Sequence, residues 1–265
     1  MDKPYQATKE IDVLPTHHPI PGEGLLPINA FVIKSTEPVL VDTGIGKDNE
    51  EFMNALESVI DPQDLKWIWL THDDQDHTGS IQKVLEEASN ARLIANAVAV
   101  LRMGTAWQVP MNRVNFLNPG ESIMVGDRKL TAVRPPMFDN PSTIGIYDNN
   151  SETFFSVDFF GAILPSIEAQ DTDNVKKEEL FHGMITWAKA DTPWLHSVDP
   201  DKFSQGLDKI RQMNPKLILS SHLPPARRKT EQFLKILADI PASEPWVAPD
   251  QVALEQMLAQ MRGGE

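Results

Sequence analysis

The sequence contains no cysteine among its 265 residues. This absence excludes disulfide bonds, zinc fingers, cysteine-ligated iron–sulfur clusters and a cysteine nucleophile. Basic residues are also scarce, since 24 Lys and Arg stand against 38 Asp and Glu, which gives a formal net charge of −14. Because binding to a phosphate backbone needs a basic surface, this charge argues against a nucleic-acid partner.

Long apolar segments are missing as well. Apolar runs such as 67–70 and 217–219 are far too short to cross a bilayer, so we expect no membrane partner. The first six residues lack a basic segment followed by an apolar one, so we expect no secretory signal and a cytoplasmic location. Without repeats or low-complexity tracts, this length predicts one domain over 1–265.

The hydrophobic pattern predicts strands and helices in mixed order. Strands are predicted at 28–33, 39–41, 67–70, 92–95, 123–125, 130–133, 143–147, 153–157 and 217–220. Helices are predicted at 49–60, 81–88, 97–103, 178–190 and 200–213, and an amphipathic C-terminal helix at 249–262. Asp48 is the predicted N-cap of the first helix. The simplest layering of this order is an α/β fold of two mixed sheets with helices outside.

Four metal-binding side chains stand close together just after the strand predicted at 67–70. They are His72, Asp74, Asp76 and His77. Because a strand directs alternate side chains to one face, residues 72, 74 and 76 can converge on one point. Two imidazoles and two carboxylates on one turn suit a divalent metal ion. The alternative is a solvated acidic loop whose aspartates cap the next helix.

The motif around this turn resembles that of the metallo-β-lactamase superfamily. Thr-His at 71–72 and Asp-His-Thr-Gly-Ser at 76–80 follow an apolar strand, and Val-Asp-Thr-Gly stands at 41–44. Hydrolases of the superfamily carry His-x-His-x-Asp-His, whereas this chain has Asp74 at the second histidine. A carboxylate there is similar to the flavodiiron proteins, including oxygen-binding di-iron proteins without a flavodoxin domain, whose pattern is His-x-Glu-x-Asp-His. The resemblance implies a four-layer αββα sandwich.

Three later segments are similar to the flavodiiron pattern in order and spacing. That pattern expects a histidine in Pro-Met-Leu-His-Trp-Pro about sixty residues on, and Pro-Met-Phe-Asp-Asn-Pro at 136–141 places Asp139 there. It next expects a bridging aspartate in Phe-Ser-x-Asp-x-Phe-Gly, which corresponds to Asp158. It ends with a histidine after serine, which corresponds to His222. The resemblance therefore covers nearly the whole chain.

The resemblance implies a seven-residue ligand set for two metal ions. His72, Asp74 and Asp139 would hold the first ion and Asp76, His77 and His222 the second, with Asp158 bridging them. Two substitutions depart from the family pattern: Asp74 replaces a glutamate, and Asp139 replaces a histidine. An oxygen-rich first site suits iron or manganese better than zinc, so we expect two iron ions, with Mn or Zn as alternatives. If Asp139 does not bind, one position is weak or empty.

Three further residues are candidates for supporting roles. Asp42 is expected to orient the ligand turn by hydrogen bonding, as carboxylates behind metal ligands do. His182 and Trp187, in the helix predicted at 178–190, could form a lid over the ions. The alternative for these two side chains is ordinary packing along a helix face.

The function implied by the resemblance is that of a non-haem di-iron protein that binds or reduces dioxygen or nitric oxide. Only 43 residues follow His222, so we expect no FMN-binding flavodoxin domain in this chain and an external electron donor instead. By analogy with the family we also expect a homodimer. A metal-dependent hydrolase is the first alternative. The second is a degenerate member that binds one ion or none and serves in regulation.

Overall fold

The computed structural model describes residues 1–46 and 49–262, which form thirteen strands and eight α-helices. The strands are β1 Tyr5–Thr8, β2 Ile11–Ile20, β3 Gly24–Ile33, β4 Val39–Val41, β5 Trp67–Trp69, β6 Arg92–Ala95, β7 Val114–Phe116, β8 Ser122–Val125, β9 Arg128–Val133, β10 Gly145–Asp148, β11 Thr153–Val157, β12 Leu217–Ser220 and β13 Ala226–Arg227. The helices are α1 Asn49–Glu57, α2 Gln75–Thr78, α3 Ile81–Glu87, α4 Ala97–Met103, α5 Lys177–Asp191, α6 Pro200–Met213, α7 Thr230–Ala238 and α8 Gln251–Arg262.

The strands form two mixed sheets. The first sheet has the order β1-β2-β3-β4-β5-β6-β7, antiparallel as far as β4 and parallel from β4 to β7. The second sheet has the order β13-β12-β11-β10-β9-β8, in which β11 and β12 form the one parallel pair among the described strands. Parallel neighbours place their carboxyl ends at the same edge of a sheet, which is where the candidate side chains lie.

Three apolar clusters show the layering. One cluster lies between the two sheets and includes Phe31 and Trp69 of the first sheet and Phe155 of the second. A second cluster packs α1, α3 and α4 on the outside of the first sheet. A third packs α5, α6 and α7 on the outside of the second sheet. The chain is therefore an αββα sandwich, and the predicted fold class is confirmed.

For several predicted elements, the first and last residues agree with those in the structure. They are the strands at 39–41, 92–95, 153–157 and 217–220 and the helices at 97–103 and 200–213. The prediction omitted the β1–β2 pair, β7, β13 and α7. The second half of β2 is half-exposed and carries prolines and histidines, so its alternation is weak. The predicted N-cap, Asp48, lies outside the described residues.

The C-terminal helix α8 begins at Gln251 rather than at 249. Asp250 caps it, since its carboxylate accepts a hydrogen bond of 2.9 Å from the Ala253 backbone N–H. Val252, Leu254 and Leu258 expose their side chains. Over the described ranges, no helix combines the length and hydropathy that crossing a bilayer requires.

Candidate metal centre

The candidate side chains meet where four strands end. Asp42 follows β4, and the His72–His77 turn follows its parallel neighbour β5. Asp158 and His222 follow β11 and β12, the parallel pair of the second sheet. Since the two sheets pack face to face, these four chain ends lie beside one another.

The loop after β4 holds the His72–His77 turn through backbone contacts. The Thr43 N–H donates to the His77 carbonyl at 2.7 Å, and the Gly79 N–H donates to the Gly44 carbonyl at 2.8 Å. A Cβ atom on Gly79 would lie 2.0 Å from the backbone nitrogen of Gly46. Glycine is therefore required at 79, because any side chain would force the two loops apart.

A first group consists of His72, Asp74 and Asp139, whose ligand atoms lie within 4.8 Å of one another. We call this group the first site. Nε2 of His72 is 3.4 Å from Oδ2 of Asp74 and 3.6 Å from Oδ2 of Asp158. His72 is buried, whereas Asp139 is exposed at the mouth of the site.

A second group consists of Asp76, His77 and His222, again within 4.8 Å. We call it the second site. Nε2 of His77 and Nε2 of His222 each lie 3.4 Å from Oδ2 of Asp76. The same two nitrogens lie 3.1 Å and 2.9 Å from Oδ1 of Asp158. Asp158 thus presents Oδ1 to the second site and Oδ2 to His72 of the first.

Hydrogen bonds orient two of the imidazoles from behind. Nδ1 of His77 lies 2.8 Å from Oδ2 of Asp42, and Nδ1 of His222 lies 2.7 Å from the Pro27 carbonyl. An acceptor at Nδ1 fixes the proton there and leaves Nε2 free to bind an ion. Asp42 is thus the acceptor behind His77.

A β-bulge aims Asp158 into the site. The register between β11 and β12 shifts between Phe155 and Val157. Val157 has a φ of 60°, which is costly for a β-branched residue. Its carbonyl accepts hydrogen bonds from the Ser221 N–H and the Ser220 hydroxyl, which hold this conformation. Bulges commonly redirect a side chain next to a functional site.

The charges of the site perturb one another strongly. Burial and the neighbouring His77 lower the pKa of His72, but Asp158, Asp74 and Asp139 outweigh them and raise it. Burial likewise opposes the charge of His77, yet Asp76, Asp42 and Asp158 hold the pKa of His77 well above its usual range. Burial raises the pKa of Asp158, and the surrounding imidazoles hold it well below the ordinary value. The carboxylates and the imidazoles of His72 and His77 therefore stabilise each other's charged forms.

The two carboxylates of the first site differ from each other. Hydrogen bonding to His72 lowers the pKa of Asp74 to about 2. Asp139 exposes part of its side chain to solvent and is only partly buried in the site; this partial burial, followed by the charge of Asp158, raises the pKa of Asp139 to about 7. Carboxylates forced this close together resist simultaneous ionisation, which a divalent cation would relieve.

The donor set fits a pair of metal ions. Nε2 of His77 and Oδ2 of Asp158 are buried and have no well-oriented hydrogen-bond partner. Buried polar atoms without a partner are rare and need an explanation. Two divalent ions held by the three imidazoles and the three other carboxylates, one on each side of Asp158, would supply that explanation, and they would neutralise the four negative charges of the carboxylates. The two histidines do not lie on a solvated loop, since each is 1% exposed, and Asp74, at the N-cap of α2, makes no side-chain capping bond.

The two residues suggested as a lid have different positions. Trp187 packs beside the second site, with its ring 4.8 Å from that of His222 and its indole N–H donating to the Asp158 carbonyl at 3.1 Å. A Cβ on Gly161 would lie 2.5 Å from this indole nitrogen, so glycine lets Trp187 approach. His182 lies exposed on α5, and five helical residues turn its side chain about 140° away from Trp187.

Sequence reasoning missed several polar residues near the first site. Asn140, directly after Asp139, donates to both Asp73 and Asp74. Arg102 of α4 pairs with Asp73 at 2.6 Å. Asp191, at the end of α5, has its pKa raised well above the usual range by burial and then by Asp158 and Asp139. Of these, Asn140 and Asp73 adjoined predicted ligands and could have been noticed from the sequence.

The profile of the ODP family beta lactamases matches residues 26–222, which is more than half of the chain. The chain belongs to this family. The match ends at His222 and contains all seven residues of the two sites.

Curated relatives of this ODP family beta lactamase include flavoproteins. The anaerobic nitric oxide reductase flavorubredoxin of Salmonella arizonae is 25% identical over 239 residues, covering 85% of this chain and 50% of that protein. The putative diflavin flavoprotein A 1 of Thermosynechococcus vestitus is 30% identical over 135 residues, covering 51% of this chain and 24% of that protein. The chain thus spans between about a quarter and a half of the length of these relatives.

Solved structures show the same fold. The rubredoxin oxygen:oxidoreductase of Desulfovibrio gigas aligns with a TM-score of 0.80 and 16% identity, over 92% of this chain and 63% of that one. A fragment of the putative diflavin flavoprotein A 5 of Nostoc sp. aligns with a TM-score of 0.73 and 17% identity, over 98% of both chains. These relatives and neighbours confirm the predicted resemblance to the flavodiiron branch of the metallo-β-lactamase superfamily.

Proposed function

We propose that this ODP family beta lactamase is a non-haem di-iron protein that binds and reduces dioxygen, with nitric oxide as the alternative small substrate. The single observation that carries the proposal is the gathering of seven ligand side chains into two groups that share Asp158. Relatives named as an oxygen:oxidoreductase and a nitric oxide reductase support the same class of substrate.

Seven side chains would hold the two ions, three at each ion and one between them. His72, Asp74 and Asp139 would hold one ion, and Asp76, His77 and His222 the other, with one oxygen of Asp158 for each. When bound, two ferrous ions would supply two electrons and Lewis-acid binding of a diatomic molecule. A carboxylate-rich first site is harder than an imidazole site and favours iron or manganese over zinc.

The site is open to solvent on one side and closed on the other. Asp139 is exposed, and the side chain of Asp74 is 33% exposed. Trp187 packs against His222, and the cavity of about 10 Å³ behind Asp158 is lined by none of the other six candidate ligands. A substrate would therefore reach the ions from the side of Asp74 and Asp139.

Turnover requires electrons from outside the chain. Reduction of one dioxygen to two waters consumes four electrons and four protons, and two ferrous ions supply two of those electrons. We therefore propose that an external electron carrier, such as a reduced flavoprotein or an iron–sulfur protein, delivers the rest. The homodimer expected from the family is also part of this proposal.

The test combines metal analysis with oxygen consumption. Protein reconstituted anaerobically with ferrous iron is expected to bind two ions per chain and to consume oxygen when mixed with it, with growth of ferric absorption in the near ultraviolet. His222→Ala should lose most of this reaction. His17→Ala, which alters a histidine paired with Asp2 at 3.3 Å on β2, is the matched control and should retain it.

Three outcomes would contradict the proposal. Two ferrous ions that stay inert to both dioxygen and nitric oxide would remove the assigned chemistry. Turnover of thioesters, lactones or phosphodiesters by the zinc or manganese form, without any oxygen reaction, would favour the hydrolase. Uptake of one ion or none would indicate the degenerate regulatory member.

A further inference from the structure

A buried asparagine contacts the first site. Asn140 is 3% exposed, and its side-chain amide donates to Oδ1 of Asp74 at 2.8 Å and to Oδ1 of Asp73 at 3.1 Å. The two aspartates are consecutive, and one amide group therefore ties both carboxylates of the ligand turn to the loop that carries Asp139.

Surrounding groups fix the orientation of this amide. The Ser142 N–H donates to Oδ1 of Asn140 at 2.9 Å, which identifies that atom as the oxygen and leaves the NH₂ group facing the aspartates. The Ser142 hydroxyl lies 2.9 Å from Oδ1 of Asp73, and Nε of Arg102 lies 2.6 Å from Oδ2 of Asp73. Asp73 is thus anchored on both oxygens.

The two oxygens of Asp74 have different partners. Oδ1 accepts the hydrogen bond from Asn140 and lies 3.7 Å from Nη2 of Arg102. Oδ2 points the other way, 3.4 Å from Nε2 of His72. Asp74 is one methylene shorter than a glutamate, so its reach into the site depends more on how its carboxylate is turned.

We propose that Asn140 is a positioning residue for the first site, which turns Oδ2 of Asp74 toward the ion by holding Oδ1. Asp73, Ser142 and Arg102 complete the hydrogen-bond network that keeps Asn140 in place. The inference rests on the proposed two-metal function, since a carboxylate without an ion needs no such orientation. Hydrogen-bonding partners behind metal ligands typically contribute a factor of about 10 to 100 to affinity.

The experiment is a manganese titration of the whole chain with Asn140→Leu, which keeps the branching at Cγ and removes the donor. Affinities come from competition with a chelator, and electron paramagnetic resonance separates coupled Mn(II) pairs from isolated Mn(II). The variant is expected to bind one equivalent as the wild type does and the other at least tenfold more weakly. It should show isolated Mn(II) at concentrations that fill both sites of the wild type.

The control is a second buried asparagine. Asn96 is 7% exposed and caps α4 by accepting from the Val98 N–H at 3.0 Å. Asn96→Leu is expected to lower the unfolding temperature and to leave both equivalents bound. If Asn140→Leu does not fold, Arg102→Gln, at a half-exposed position, should weaken one equivalent several-fold.

The outcomes separate the inference from the proposed function. Wild-type affinity for both ions in Asn140→Leu, or an equal loss of both, would overturn the positioning role while leaving the two-metal site intact. A wild-type protein that binds no coupled pair would overturn both. A loss confined to one equivalent supports both.

Discussion

Asp42 offers the sharpest test of how the second site is built. Its carboxylate accepts three hydrogen bonds, from the N–H and the hydroxyl of Thr71 and from Nδ1 of His77, each 2.8 Å long. Asp42 is 1% exposed and has a φ of 59°. Asparagine also tolerates this backbone conformation, so Asp42→Asn changes the hydrogen bonds and leaves the backbone strain nearly unchanged.

An asparagine cannot satisfy all of these donors. If its oxygen faces the Thr71 N–H, its NH₂ group faces Nδ1 of His77, which must then accept, and the imidazole proton moves to Nε2 in the pocket. If its oxygen faces His77, the buried Thr71 N–H loses its acceptor at a cost of about 1–3 kcal/mol. We expect the first orientation to weaken the second site about 10- to 100-fold and the second to destabilise the fold by the stated amount. A factor of ten in affinity corresponds to about 1.4 kcal/mol.

Competition titration with ferrous iron and thermal unfolding of the ion-free protein together measure this effect. Asp148→Asn is the matched control, because Asp148 is fully buried and pairs with Arg128 at 2.5 Å. Asp148 lies opposite Thr153, the first residue of β11. Five residues of extended chain, about 16 Å, separate Thr153 from Asp158. The control should lower stability and keep metal affinity. The reasoning would be refuted if the Asp42→Asn variant had the metal affinity and the unfolding temperature of the wild type.

Three further predictions concern ions and protons. Chelation should lower the unfolding temperature, since each ion at a hundred times its Kd stabilises the fold by about 2.7 kcal/mol, and a melting curve indifferent to chelator would contradict this. Because the pKa of His77 and that of His72 are raised, ions must displace protons at neutral pH. We therefore expect proton release in weakly buffered titrations and affinity that falls with falling pH, and uptake without release would count against the assignment. Folding raises the pKa of Asp191. The protonated Asp191 therefore contributes its full share of folding stability below the pKa that this group has in the unfolded chain, and that share is lost as pH rises through the folded-state pKa. Asp191→Asn should therefore raise the unfolding temperature of ion-free protein at pH 8, with a gain that shrinks toward pH 4, and equal melting at pH 8 would disprove the shift.

Candidate ligands that are close together in the sequence could be predicted to lie together, whereas those far apart could not be placed from the residues alone. His72, Asp74, Asp76 and His77 lie within six residues, so their proximity is a local signal. The reason given for it was wrong, because β5 ends at Trp69 and α2 begins at Gln75, so strand alternation does not extend through the turn. Asp74 and Asp76 accordingly belong to different sites. The positions of Asp139, Asp158 and His222 depended on the family spacing, because nothing local tells which strand ends meet. The structure brings all of them together.

The supporting contacts could not be predicted because they join distant segments. Arg102 reaches Asp73 across 29 residues, and Trp187 reaches the Asp158 carbonyl across the same separation. Such pairs depend on how α4 and α5 pack on their sheets. The β1–β2 pair was missed for a different reason, since half of β2 is partly exposed and its pattern does not alternate clearly.

The central claim is that seven side chains of this chain hold two ions around Asp158, and a crystal structure of the iron-loaded protein with anomalous diffraction at the iron edge tests it most directly. We expect two anomalous peaks, one among His72, Asp74 and Asp139 and one among Asp76, His77 and His222, each in contact with one oxygen of Asp158. A single peak, peaks elsewhere on the chain, or no peak from protein crystallised with saturating ferrous iron would contradict the account.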